Sequence, residues 1–421
     1  MISEVHIENF KSIEDLTVPL GRITVLIGEN GSGKSNILEA IAFLGAAADD
    51  KLDNELLVNR GIRVTDDALM YAAFDGRNLK STKKRAKSRK HPPQILLSAT
   101  NGTLVLNVAL TSPKFVSGKE IGLKPWISYH YPDSDFRKFF FESEKGLSNA
   151  LKNFLVERTA KFDPDKKILE ILEHSDDEFM SMLALNLAAT LVNKDANQKL
   201  RLSDYRIYSP ENSALRTFQE EGQSLPLGIR GQGLFKLLQS FHTKNQASKL
   251  AELKRSLELV GWFLDFEIPT DPAPGDNRLR IKDRYIHEGQ EVDQRSANEG
   301  FLFLLFYFTT FLSEQAPPFF AIDNIDASLN PKLCAQMMTR LVSLSKKMDK
   351  QAILTTHNPA ILDGLDLNDK DQILYVVFRD ENGRTKLRRI QPPRQLKKNV
   401  APIKLSTAFM EGYLGGLPKN F

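Results

Sequence analysis

The chain has 421 residues, 41% hydrophobic and 26% charged, the balance of a globular protein with room for two or three structural units. A net charge of +4 is too weak to point to nucleic acid by itself, and the single cysteine, Cys334, excludes an intramolecular disulfide. The start, Met1-Ile2-Ser3-Glu4-Val5-His6, shows no leader pattern and the apolar run Phe301 to Leu312 is too short to cross a bilayer as a helix, so a cytoplasmic protein with no membrane partner is expected.

In chain order, apolar bursts at Val5–Ile7, Leu16–Val18 and Ile23–Ile27 predict a small antiparallel sheet feeding one buried strand. Asn9-Phe10-Lys11-Ser12 forms a polar corner on an apolar anchor between the first two. The third burst runs into Gly28-Glu29-Asn30-Gly31-Ser32-Gly33-Lys34-Ser35, a complete G-x-x-x-x-G-K-[ST] pattern, and the helix-like Asn36-Ile37-Leu38-Glu39-Ala40-Ile41 follows. Strand, glycine loop and helix in that order make a phosphate-binding loop. Its glycines let backbone N–H groups converge on an anion, and the helix N-terminus adds partial positive charge. ATP is therefore expected against Asn30, Gly31, Ser32, Gly33 and Asn36. Lys34 would reach its β- and γ-phosphates, and the Ser35 hydroxyl would take one Mg²⁺ position.

A helix is expected over 36–49. From Arg77 to Lys90 the chain is dense in cations, Lys83, Lys84, Arg85 and Arg89 among them, with no acidic residue. Such a run is either a solvated loop or a phosphate-contacting one, and no interleaved aromatic supports base stacking. Gln94–Ala99 and Thr103–Leu110 around Thr100-Asn101-Gly102 predict a hairpin. Residues 145–265 read mostly as short helices broken at Pro164, Pro210 and Pro226, with a strand returning near 205–209. No sustained heptad run appears, so a long coiled-coil arm is not expected.

Pro317-Pro318-Phe319-Phe320-Ala321-Ile322-Asp323 is an apolar strand ending in a carboxylate, the arrangement by which P-loop folds hold magnesium. Asp323 is the Walker B candidate and a second metal-site residue beside Ser35. After a helix, the buried strand Ala352–Thr356 ends at His357-Asn358-Pro359, which sets an imidazole at the sheet's carboxyl edge, where open α/β sheets bind ligands. His357 is thus a γ-phosphate candidate. The tail closes with the strand Ile373–Phe378, an Asn382-Gly383 hairpin and the basic strand Lys386 to Arg389.

These motifs, in this order, resemble the ABC-type ATPase heads of the SMC, RecF and OLD families, and in particular stand-alone ATPases of prokaryotic defence systems. The resemblance covers about 1–110 and 200–380. It implies an α/β P-loop fold with a mixed sheet, an N-terminal antiparallel part and an inserted helical subdomain. The lobes would be 1–143, a mostly helical insertion over 144–265, and 266–421. By the same resemblance Lys11 and Ser12 approach the nucleotide and Ala327-Ser328-Leu329-Asn330 is the D-loop. Ser296-Ala297-Asn298-Glu299-Gly300 stands where the signature falls, with Asn298 at the hydroxyl position and Gly300 at the glycine.

One departure bears on chemistry. The family expects a glutamate after the Walker B aspartate as general base, and this chain has Asn324. An amide cannot accept a proton at neutral pH, and losing a positioned base costs about 10²–10⁴ in rate. Asp326 or His357 would have to substitute, or hydrolysis is slow by design.

Two readings follow. In one, a homodimer or higher homo-oligomer sandwiches ATP and acts on DNA or on an effector partner, a nuclease or toxin. The DNA surfaces would be Lys83, Lys84, Arg85, Arg89 and the strand from Lys386 to Arg389. In the other, the protein is an ATP-locked scaffold or sensor that holds such a partner with little turnover. No nuclease constellation appears in the sequence itself, and a transporter motor is disfavoured by the long insertion and the Phe10-Lys11-Ser12 start.

Overall fold

A computed structural model describes residues 1–72, 94–111, 126–130, 195–218, 227–242, 246–269, 278–287, 290, 292–392 and 403–414. The basic residues Lys83, Lys84, Arg85 and Arg89 and residues 144–194 of the expected insertion lie outside them.

Alternation of inward and outward residues makes one sheet. Strands β1 (Glu4–Phe10) and β2 (Ile13–Pro19) pair antiparallel, with Val5 opposite Val18 and Ile7 opposite Leu16. Strands β4 (Ile95–Thr100), β5 (Val105–Thr111) and β6 (Ile127–His130) extend it in the order β2-β1-β4-β5-β6. The β4–β5 turn is the expected one: Asn101 Oδ1 accepts from the N–H groups of Thr103 and Leu104, and Gly102 takes φ 90°.

The second sheet is built from strands buried on both faces, as near-continuous apolar runs require. It contains β3 (Ile23–Ile27), β7 (Ile207–Tyr208), β10 (Phe319–Ile322), β11 (Gln351–Thr356), β12 (Gln372–Arg379) and β13 (Thr385–Arg389). Their order is β13-β12-β3-β11-β10-β7, parallel except for the β12–β13 hairpin. The strand expected near 205–209 is therefore an edge strand of the main sheet. The expected boundary at 265 falls inside β8 (Phe263–Glu267), which pairs with β9 (Arg280–Asp283).

Period-two alternation splits the core. Ile23, Val25 and Ile27 of β3 face one cluster, and Leu26 faces the other. Helix α1 (Lys34–Ala48) packs between the two sheets, against β1, β4 and β5 on one side and β7 and β11 on the other. Its run Ala-Ile-Ala-Phe-Leu-Gly-Ala-Ala-Ala is small enough for burial on nearly every side, and Phe43 packs edge-on to Trp126 with ring centroids 5.2 Å apart.

Helices α2 (Asn54–Asn59) and α3 (Asp67–Met70) follow α1. Helices α4 (Asn212–Thr217), α5 (Leu234–Ser240), α6 (Ala247–Leu257), α7 (Glu299–Leu312) and α8 (Pro331–Lys347) build the other face. Helix α7 is apolar all round because it is the centre of that layer; every residue from Gly300 to Leu312 is buried. Among the described residues, no helix is long and apolar enough to cross a membrane.

Candidate active site

Parallel pairing brings the chemistry to one edge. Strand β11 lies between β3 and β10, so Gly28 after β3, His357 after β11 and Asp323 after β10 emerge side by side at the carboxyl ends of neighbouring strands. Strand spacing of about 4.8 Å puts His357 between the other two on one edge of the sheet.

The loop after β3 is shaped by close approach. A Cβ at Gly28 would come 2.1 Å from the Val377 carbonyl oxygen, and one at Gly33, at φ 105°, 2.1 Å from Thr385 Oγ1. Gly33 is also the N-cap of α1, with no side chain capping the helix and no acid in its first turn. That leaves the positive end of a long helix for an anion. Lys34 is buried and donates to the carbonyls of Gly28 (2.8 Å) and Glu29 (2.9 Å). Burial lowers its pKa to about 8, against the opposing pull of Asp323 and Asp326.

Opposite, Ser35 Oγ donates to Asp323 Oδ2 at 2.9 Å, and Thr355 Oγ1 donates to the other carboxylate oxygen. One hydroxyl and one carboxylate, with further positions open to phosphate and water oxygens, is a donor set that suits Mg²⁺. Asn324 follows at φ 54°, a left-handed position that asparagine tolerates, and it is exposed while its N–H donates to Thr355 Oγ1. Asp326 Oδ1 accepts from Thr356 Oγ1 at 2.6 Å and lies by the His357 N–H at 3.4 Å. The His357 ring is held below its ordinary pKa, first by partial burial and then by the Lys34 ammonium, although the Gly28 carbonyl hydrogen-bonds it. At neutral pH it is a neutral imidazole with one nitrogen engaged by that carbonyl and the other able to accept a proton.

The remaining predicted residues fall in two places. Lys11, at φ 48°, is paired with Glu39, a carboxylate 1% exposed that also accepts from Arg63 Nε at 2.5 Å. Ser12 is buried between Asn36 Nδ2 and Thr385 Oγ1, each 2.7 Å away. Asn30, Gly31, Ser32 and Asn36 belong to the loop and the first turn of α1. Asn298 caps α7, its Oδ1 accepting from the Gly300 N–H at 2.9 Å. Gly300 is held against the segment 327–330: a Cβ there would come 3.1 Å from the Ser328 carbonyl oxygen. Arg216 of α4 grips the same stretch through the carbonyls of Arg295 (2.5 Å) and Ala297 (2.9 Å). Among the described residues no hydrogen bond or ion pair joins Asn298 or Gly300 to residues 28–35 of the same chain.

Residues 1–259 match the AAA ATPase domain family over more than half of the chain. The chain belongs to that family. This ATPase is 26% identical over 278 residues to the DNA replication and repair protein RecF of Latilactobacillus sakei, a span of 62% of this chain and 70% of that protein. A short stretch of 41 residues is 44% identical to the OLD nuclease of Thermus scotoductus, covering 10% of the ATPase and 8% of the nuclease. In fold it is similar to the Smc head solved bound to the C-winged helix domain of ScpA, with a TM-score of 0.50 at 15% identity over 93% of this chain and 98% of that one. The expected architecture is thus the observed one: an SMC-head-like P-loop α/β fold with an N-terminal antiparallel sheet and a mixed main sheet.

Sequence reasoning missed Glu39, Arg63, Thr385, Arg379 and Arg216. Glu39 carried a signal, an acid within the apolar face of a buried helix. The others sit in ordinary polar surroundings in sequence and acquire partners only through folding.

Proposed function

We propose that this ATPase binds ATP in the loop 28–35 and hydrolyses it slowly, using binding itself as the signal. One observation carries the reading: Ser35 and Asp323 are already joined at 2.9 Å beside a buried Lys34, while the position next to Asp323 holds an exposed amide, Asn324. Ser35 and Asp323 would hold Mg²⁺, which supplies charge neutralisation on the phosphates. Loop N–H groups and Lys34 orient the phosphates, and His357, neutral and facing the loop, takes the proton that Asn324 cannot.

The signature segment supports a dimer. Asn298 spends its Oδ1 on the helix cap, and among the described residues it makes no bond to its own phosphate loop. Asn298 and Gly300 therefore serve the nucleotide of a second copy, and ATP closes a homodimer. The output is engagement of DNA or restraint of an effector, a nuclease or toxin, in prokaryotic defence. Similarity to a DNA replication and repair protein supports the DNA branch, with Lys83, Lys84, Arg85, Arg89 and the strand from Lys386 to Arg389 as candidate contacts.

A second reading, an ATP-locked scaffold without turnover, is favoured by Asn324 alone. Steady-state phosphate release by the wild type, Asn324→Glu and Lys34→Ala separates the two. Slow wild-type release that Lys34→Ala abolishes supports the first. Release at background in the wild type, regained in Asn324→Glu, supports the second. Release unaffected by Lys34→Ala overturns the nucleotide site.

A further inference from the structure

The β12–β13 hairpin, about 350 residues downstream of the phosphate loop, holds that loop from outside. Arg379 Nε donates to the Gly31 carbonyl at 2.7 Å, and the buried Thr385 hydroxyl donates to the Ser32 carbonyl at 3.0 Å. Thr385 is also tied back by its own N–H to the Ser12 carbonyl, at 2.8 Å. Neither the glycine pattern nor the strand order requires these bonds.

The proton positions along this contact are determined. Asn36 Oδ1 accepts from Arg63 Nη2 at 3.2 Å, so its amide N–H₂ faces Ser12 Oγ, 2.7 Å away. A hydroxyl has one proton. Ser12, having accepted from Asn36, gives its own to Thr385, and Thr385 gives its own to the Ser32 carbonyl. The chain Arg63, Asn36, Ser12, Thr385, Ser32 runs in one direction, with each hydroxyl satisfied.

A trans peptide points its C=O and the following N–H to opposite sides. Drawing the Ser32 carbonyl outward onto Thr385 therefore turns the Gly33 N–H inward. Drawing the Gly31 carbonyl onto Arg379 does the same for the Ser32 N–H, which otherwise makes only a 3.3 Å contact with the Glu29 carbonyl. These are the N–H groups that a phosphate loop presents to the α- and β-phosphates.

We infer that Thr385 is a positioning residue for the phosphate loop, with Arg379 as its second support, and that together they set nucleotide affinity by orienting the loop's N–H groups. The inference rests on the nucleotide-binding reading above. Because it concerns the phosphates common to both nucleotides, it predicts equal effects on ADP and ATP.

The test is equilibrium binding of ADP and of ATP to the full chain, as wild type, Thr385→Val, Thr385→Ser, Arg379→Gln and Lys34→Ala. Thr385→Val should weaken both nucleotides alike by about tenfold, the loss of one buried hydrogen bond, while Thr385→Ser stays within about twofold of wild type. Arg379 is exposed, so Arg379→Gln opens no cavity and should weaken both nucleotides several-fold at an unaltered melting temperature. Wild-type affinity in Thr385→Val, or equal losses in Thr385→Val and Thr385→Ser, overturns the assignment. If Thr385→Val does not fold, unaltered affinity in Arg379→Gln overturns it. Binding that is lost in Lys34→Ala but untouched in the Thr385 and Arg379 variants overturns this inference alone. A wild type that binds neither nucleotide overturns the nucleotide-binding reading together with it.

Discussion

The two halves of the site are built to different standards. The half proposed to hold phosphate is over-determined. Lys34 is buried, Ser35 and Asp323 share a hydrogen bond, Thr355 fixes the other carboxylate oxygen, and two glycines sit where a Cβ would collide. The half proposed to activate water has an exposed amide at Asn324, and beyond it Asp326 Oδ1 lies 3.4 Å from the His357 N–H. On the proposed reading, affinity and turnover can therefore be tuned separately.

The comparison breaks most sharply at the phosphate half. Lys34→Ala should lower ATP affinity by about a hundredfold or more, since a charged donor to phosphate is lost, and calorimetric titration measures it. Affinity within a few-fold of wild type would mean that the loop does not hold the nucleotide. At the other half the change should run in the opposite direction. Asn324→Glu restores a proton acceptor and should raise turnover by up to about a hundredfold, read as phosphate release, with ATP affinity little altered.

Titration separates the halves further. Lys34 has its pKa lowered to about 8. Above that pH the lysine is neutral in the free protein and must take up a proton to meet phosphate, so affinity should fall by up to about tenfold per pH unit. A pH-independent Kd from 7 to 9.5 would remove Lys34 from the phosphates. His357, shifted in the same direction, would lose the proposed base function only when protonated, so the acid limb of turnover should lie below 6.5. His357→Gln should lower turnover by about tenfold and erase that limb, and a limb that persists would point to Asp326.

The smallest effect belongs to Asn298, in the proposed signature segment. Asn298→Ala removes a helix cap and should cost about 1 kcal/mol in denaturant unfolding. It should leave ATP affinity of the isolated chain intact while weakening ATP-dependent association in sedimentation velocity. Unchanged association would remove Asn298 from the proposed dimer contact.

Much of this was legible before folding because the signals are local. A glycine loop between an apolar strand and a helix needs only neighbouring residues to be recognised, and so does an apolar strand ending in Asp323. The hairpin over 94–110 was legible through Asn101 and Gly102 for the same reason. Lys11 and Ser12 were legible as a corner, but their partners were not. Glu39 is 28 residues from Lys11, and Thr385 is 373 residues from Ser12. The partner of a buried polar group is chosen by proximity in space, to which sequence distance gives no guide.

The sequence alone determined that this chain carries a P-loop, an apolar strand ending in Asp323 and an amide at Asn324, because each is written in a few consecutive residues. Only the tertiary structure decided how those pieces meet. Parallel pairing of β3, β11 and β10 lines up Gly28, His357 and Asp323, and the β12–β13 hairpin reaches back to turn two peptide units of the loop. Those choices come from the burial of whole strand faces and from hydrogen bonds across hundreds of residues, which no local pattern encodes.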